Sequence, residues 1–138
     1  MLHLVKMAVG CPSIEVLRDF QAKKLLARGR LVHQTRHRPK QADEILEGGS
    51  LYWVIAGAIR IRQRILDFES GVDAEGQAFC GIHLHPELVE TRSLPWRAFQ
   101  GWRYLQGETA PADLGQGGSS EDELPPALRQ ELRDLGLL

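Results

Sequence analysis

Between Ala58 and Ile65 the chain sets Ile59, Ile61 and Ile65 against Arg60, Arg62 and Arg64. That period of two constrains the fold most. Only an extended strand gathers the isoleucines on one face and three guanidinium groups on the other. At about 3.3 Å rise per residue the arginines stand roughly 6.6 Å apart, the right order for following successive phosphates of an extended nucleic-acid strand. The bland alternative is a solvated sheet face whose arginines pair with Asp67, Glu69, Glu87 and Glu90.

The segments around this strand read as its sheet and its cover. Leu2 to Val9 is a buried strand that stops at Gly10-Cys11-Pro12. Ser13 caps a helix from Ile14 to about Arg28, with Ile14, Leu17, Phe20 and Leu25 leading its apolar face and Gly29 ending it. A strand from Leu31 to Arg38 meets Pro39, which opens a short helix through Ala42, Ile45 and Leu46 that stops at Gly48-Gly49. Leu51 to Ile55 is an aromatic, β-branched strand, Gly57 offers a turn or bulge, and Ile59 to Phe68 carries the arginines. After a turn-rich loop from Ser70 to Gln77, Ala78 to His85 is the antiparallel partner. Residues 94–105 hold two of the three tryptophans and wrap back to close the core. The expected fold is α+β: a small, strongly bent, mostly antiparallel sheet or open barrel with two helices packed on it.

A chain of 138 residues fits one domain, placed at residues 1–105. Charge divides along it, with 15 Lys and Arg against 11 Asp and Glu in residues 1–105, and 2 against 7 in residues 106–138. Residues 106–124 read as an acidic flexible linker. Within residues 125–138, Leu128, Leu132 and Leu135 give a short amphipathic helix, a means to dock on a partner or complete a homodimer. The longest apolar stretch, Leu51 to Ile59, is too short for a bilayer-crossing helix, and no leader pattern opens the chain, so it reads as soluble and cytoplasmic. Cys11 and Cys80 lack CxxC spacing and behave as small hydrophobes.

Catalytic signatures do not emerge: the chain carries no GxSxG elbow, no GxxxxGK[ST] loop, no GxGxxG and no HExxH. No cofactor is expected, and enzyme activity ranks below binding. His83 and His85 share a strand face at a spacing that suits one metal ion, but no third ligand accompanies them, so they read as polar-face histidines. The favoured function is binding of RNA or a nucleotide-like anion. Arg60, Arg62 and Arg64 would position phosphates, Arg36, Arg38 and Lys40 would reinforce them if folded alongside, and Tyr52 or Trp96, the latter beside Arg97, would stack a base. Trp102 is assigned to the core.

The words Gly48-Gly49-Ser50-Leu51-Tyr52-Trp53-Val54-Ile55 and Gln100-Gly101-Trp102-Arg103-Tyr104-Leu105, together with residues 1–10, Pro39 to Glu47 and Ile61-Arg62-Gln63-Arg64-Ile65, resemble an alphaproteobacterial family catalogued as domain of unknown function 1489. The resemblance spans residues 1 to about 105 and implies no catalytic residues. The order of a short helix ending in glycines, an aromatic strand and an arginine-bearing strand is also similar to the small barrels of the PUA and ASCH type. That likeness implies RNA or nucleotide binding, although the Gly-x-Lys-x-x-Glu-x-Arg word of ASCH domains is absent.

Overall fold

The computed structural model of the chain describes residues 1–114. Nine elements follow in order: β1 (Leu2–Met7), α1 (Ile14–Arg28), β2 (Leu31–Thr35), α2 (Ala42–Ile45), β3 (Ser50–Ile55), β4 (Ala58–Val72), β5 (Ala78–Leu84), β6 (Val89–Pro95) and β7 (Trp102–Gln106). The α+β class is as expected. The seven strands form one sheet in the order β2-β5-β4-β3-β1-β7, with β6 on β4, and the sheet is not closed into a barrel. Only β1 and β3 run parallel; the remaining pairs are antiparallel.

Local chemistry sets the boundaries. The Ser13 hydroxyl accepts from the Val16 N–H at 3.3 Å, and Gly29, at φ 73°, donates its N–H to the Leu25 carbonyl at 2.7 Å. Ala56 and Gly57 have φ of 51° and 82°, the two left-handed residues of the tightest hairpin, which joins β3 to β4. Gly49 passes so close to the Leu2 and Ile45 carbonyl oxygens that a Cβ there would collide with backbone.

β4 is the spine. It runs four residues past its expected end at Phe68, and Ser70 and Gly71 are strand residues paired with Cys80 and Phe79. One edge pairs with β3, and the other pairs first with β6 and then with β5. At its centre one peptide group is bonded both ways: the Arg64 carbonyl accepts from the His85 N–H at 2.9 Å while the Ile65 N–H donates to the Gly49 carbonyl at 3.1 Å. The turn that follows narrows to Asp73–Gln77, where the Asp73 carboxylate accepts from the Glu75 and Gln77 N–H groups. Neither β6 nor β7 was anticipated as a strand.

Both sheet faces bury apolar side chains. Leu4, Leu17, Ile45, Leu51, Trp53, Ile61, Ile65 and Ile82 belong to the main core beneath the helices, and Val5, Tyr52, Val54, Ile59 and Leu105 form a smaller cluster. The register explains why Ile59 and Ile61 part company. Trp53 opposes Ile61 and Val54 opposes Ile59, so Arg60 has no partner on β3 and the strand bulges there. The helix face was only partly foreseen. Leu17 is buried as expected, whereas Phe20 stays 60 % exposed and the polar Gln21 goes inside.

Gln21 is inside because Gln63 is. Gln63, fully buried in the isoleucine row, accepts from the Trp53 indole N–H at 2.9 Å and from the Gln21 amide at 2.8 Å. It donates to Gln21 Oε1 at 2.6 Å and to the His85 carbonyl at 3.1 Å. Every polar atom of that amide is satisfied.

The body does not end at residue 105. Gly107 donates to the Met1 carbonyl, and residues 112–114 lie along β6 through Arg92 N–H to Ala112 and Leu114 N–H to Glu90. The expected helix at residues 125–138 lies outside the described residues. Among the described residues, no helix is long and apolar enough to cross a membrane.

Replacing Gln63 by leucine should cost about 2–4 kcal/mol, because the Trp53 N–H, the Gln21 amide and the His85 carbonyl all lose a partner in a dry interior. The double change of Gln21 and Gln63 to leucine should recover part of the loss. Urea denaturation of the three proteins checks both outcomes.

Candidate nucleic-acid interface

The arginine ladder is not one free row. Arg60 sits on the bulge and turns its Nε to the Ile55 carbonyl at 2.9 Å, while Arg64 is exposed. Arg62 lies opposite Tyr52 and makes a two-pronged pair with Asp113, Nε to Oδ1 at 2.7 Å and Nη2 to Oδ2 at 2.6 Å, with Nη1 on the Ser50 hydroxyl at 2.9 Å. The Asp113 side chain keeps only 9 % of its surface, so this is a desolvated pair. Its hydrogen bond holds the Arg62 guanidinium above its ordinary pKa. The carboxylate partner thus comes from a segment read as linker. Among the described residues, Asp67, Glu69, Glu87 and Glu90 form no ion pair with the ladder; Glu69 pairs with His83 and Glu90 with Arg18.

The aromatic side chain beside this clamp is covered. Tyr52 is 4 % exposed, its hydroxyl pushed up by burial, and its ring meets the edge of the His3 ring at 5.0 Å. It is therefore no stacking platform. His3 accepts the Ser50 N–H on Nδ1 at 2.9 Å, and burial, then the chain amino terminus and Arg62, lower its pKa to about 4. Trp96 is half-buried against the same cluster, and Arg97 beside it is exposed.

Positive charge collects elsewhere, along β2 and the segment after it, where the sheet stays open. A recess of about 560 Å³ is lined by Arg36, His37, Arg38, Lys40, Trp102 and Tyr104 among others, with no carboxylate in its wall. A second recess shares Thr35, Arg36 and Gly101 with it and adds Lys6 and Gln34. A third, of about 380 Å³ beneath α1, shares Lys6 and Gln34 in turn and adds Lys24 and His33, again without a carboxylate. The three recesses share these wall residues and sit side by side as one basic region, the groove. Asp73 lines the second recess with its Oδ1 occupied by the Glu75 and Gln77 N–H groups, and Glu69 lines a further recess that shares Lys24, Val32 and Gln34 with the third.

β7 supplies the aromatic side of the groove. Trp102 is only partly buried against the core, donates its indole N–H to the His37 carbonyl at 2.9 Å, and meets Tyr104 edge-on at 5.1 Å. The Tyr104 hydroxyl accepts from the Gln41 N–H at 3.2 Å. On the basic side the arginines rest on neutral partners. Arg36 donates to the Gln77 side-chain carbonyl, and Arg38 donates to the Phe68 carbonyl at 3.1 Å with its guanidinium over the Phe68 ring. Held this way they keep their full charge for a ligand.

Of the residues singled out from the sequence, the groove brings together Arg36, Arg38 and Lys40, and leaves out Arg60, Arg62, Arg64, Tyr52, Trp96 and Arg97. Lys6 and His37 were not singled out from the sequence, and Trp102, assigned to the core, lines the groove with Tyr104. The word Gln100-Gly101-Trp102-Arg103-Tyr104 carried the usable signal, alternating rings on a strand. His83 and His85 are spoken for, the first by Glu69 and the second by the Glu87 N–H. No group of three metal-binding side chains occurs among the described residues.

A family profile described as "Protein of unknown function (DUF1489)" matches residues 4–138, and the chain belongs to that family. The match runs through the acidic tail, beyond the boundary read from the sequence. No curated protein and no solved structure matches the chain.

Asp113→Ala should destabilise the fold by about 3 kcal/mol by leaving Arg62 charged and unpaired, which a denaturant titration would register. A second outcome concerns pH. His3 and His33 both have folded pKa values lowered to about 4 from 6.5, so the unfolded chain takes up protons that the folded chain refuses. Their contribution is complete above pH 6.5 and is lost as pH falls toward about 4. His33→Gln should remove about half of that dependence, read as the melting midpoint against pH for both proteins.

Proposed function

We propose that this protein binds single-stranded RNA or a nucleotide-like anion along the open side of its sheet, with Arg36, Arg38 and Lys40 on the phosphates and Trp102 or Tyr104 against a base. One observation carries the reading: the recess that holds these cations beside two accessible rings has no carboxylate in its wall. Cations interleaved with aromatic faces are what a sequence-tolerant single-strand site requires, since phosphates supply affinity and every base has a π-face. The PUA and ASCH likeness read from the order of elements points the same way. Arg64 is exposed on β4 but lines none of these recesses.

The ladder and the groove make opposite claims about which arginines matter. With a short mixed-sequence RNA followed by fluorescence anisotropy, the double change Arg36→Ala and Lys40→Ala should weaken binding. It should also reduce the slope of log affinity against log salt by about 1.4, roughly 0.7 for each lost phosphate contact. Arg64→Ala should leave both nearly unchanged. An isotherm indifferent to the Arg36 and Lys40 changes at low salt would refute the reading.

A further inference from the structure

The recess beneath α1 differs from the rest of the groove in being walled on several sides. Lys6 comes from β1, Gln21 and Lys24 from α1, His33 from β2 and Trp53 from β3, around about 380 Å³. That is the size range of small-ligand cavities. Its polar equipment is lopsided. Lys24 spends one proton on the Val32 carbonyl at 2.9 Å and has two more to give, and Lys6 is an ammonium whose pKa burial lowers.

His33 is the anomaly. Its Nε2 is buried without a hydrogen-bond partner, while the edge of Trp53, itself pinned by Gln63, holds the ring at 5.2 Å and 90°. Leaving such an atom unpaired is costly, and few native groups stay that way. Burial first, then the charges of Lys6 and Lys24, lower its pKa to about 4. No carboxylate lines the cavity to offset them. At the rim, Phe20 and Val9 are 60 % and 87 % exposed, an apolar lip beside a cationic interior.

The geometry points to a binding site for a phosphate monoester carried on a nucleoside, its phosphate against Lys6, Lys24 and His33 and its base on Phe20 at the lip. The inference deepens the groove reading and rests on it, because the cavity shares the walls Lys6 and Gln34 with the adjoining recess. The same chemistry has two sources, a free mononucleotide or the phosphorylated end of a strand lying in the groove. A dianionic phosphate reverses the local field. It attracts a proton to His33 through the field alone, since Nε2 itself is covered; the charges that face the ring are Lys6 from β1 and Lys24 from α1.

The test is titration of the full chain with 5′-UMP, with uridine, and with a short oligoribonucleotide bearing either a 5′-phosphate or a 5′-hydroxyl, followed by NMR of the His33 ring. Saturable binding of UMP but not uridine, with a rise in the His33 pKa and at least a tenfold loss on Lys24→Met, supports the site. A response to the 5′-phosphorylated strand alone supports it with the strand end as source. If neither phosphate ligand moves the His33 resonances, the inference is overturned, whatever Lys24→Met does to stability. Because Arg36 and Lys40 lie outside this cavity, RNA binding that still depends on them would keep the groove reading while this one fails.

Discussion

Two-sided hydrogen bonding along β4 governs this molecule. A strand with neighbours on both edges cannot shift register without breaking two ladders, so whatever side chains its pleat turns inward must be accommodated there. Gln63 is one of them, which is why Gln21 and the Trp53 indole are found beside it rather than apolar groups. The strand relaxes at its bulge. There Arg60 steps out of register, Ile59 passes to the smaller cluster, and the sheet acquires a second buried face that Leu105 and Tyr52 help to fill.

The molecule carries two kinds of arginine. Arg62 is a structural cation, desolvated and matched prong for prong by Asp113, and a ligand would have to displace a carboxylate to reach it. Arg36 and Arg38 are anchored by an amide and a carbonyl, partners that fix direction without cancelling charge. The difference between the two sets lies in the formal charge of the acceptor. It decides where an anion gains net energy on this surface.

Much of the architecture was legible because it is local. Ser13, Gly29 and the Gly48-Gly49 pair act on residues within one turn, and the hairpin at Ala56-Gly57 is a two-residue decision. What escaped depends on distant partners. Gln63 looks polar and therefore exposed until Gln21, 42 positions away, closes on it. Asp113 sits among Gly, Pro and acidic residues that suggest a linker, and its docking follows from the Arg62 guanidinium that receives it. The groove is invisible in one dimension, since the His37 carbonyl and the Trp102 indole that meet in its wall are 65 positions apart.

The return of residues 112–114 to β6 has a bearing on solubility. β6 has β4 on one side alone, and its other edge would otherwise offer a row of unsatisfied amides to any passing chain. The Arg92 and Leu114 N–H groups instead bond within the molecule, and the Arg62–Asp113 pair fastens that strip in place. A partly buried side-chain ion pair thereby acts as a guard against strand-by-strand self-association at the periphery.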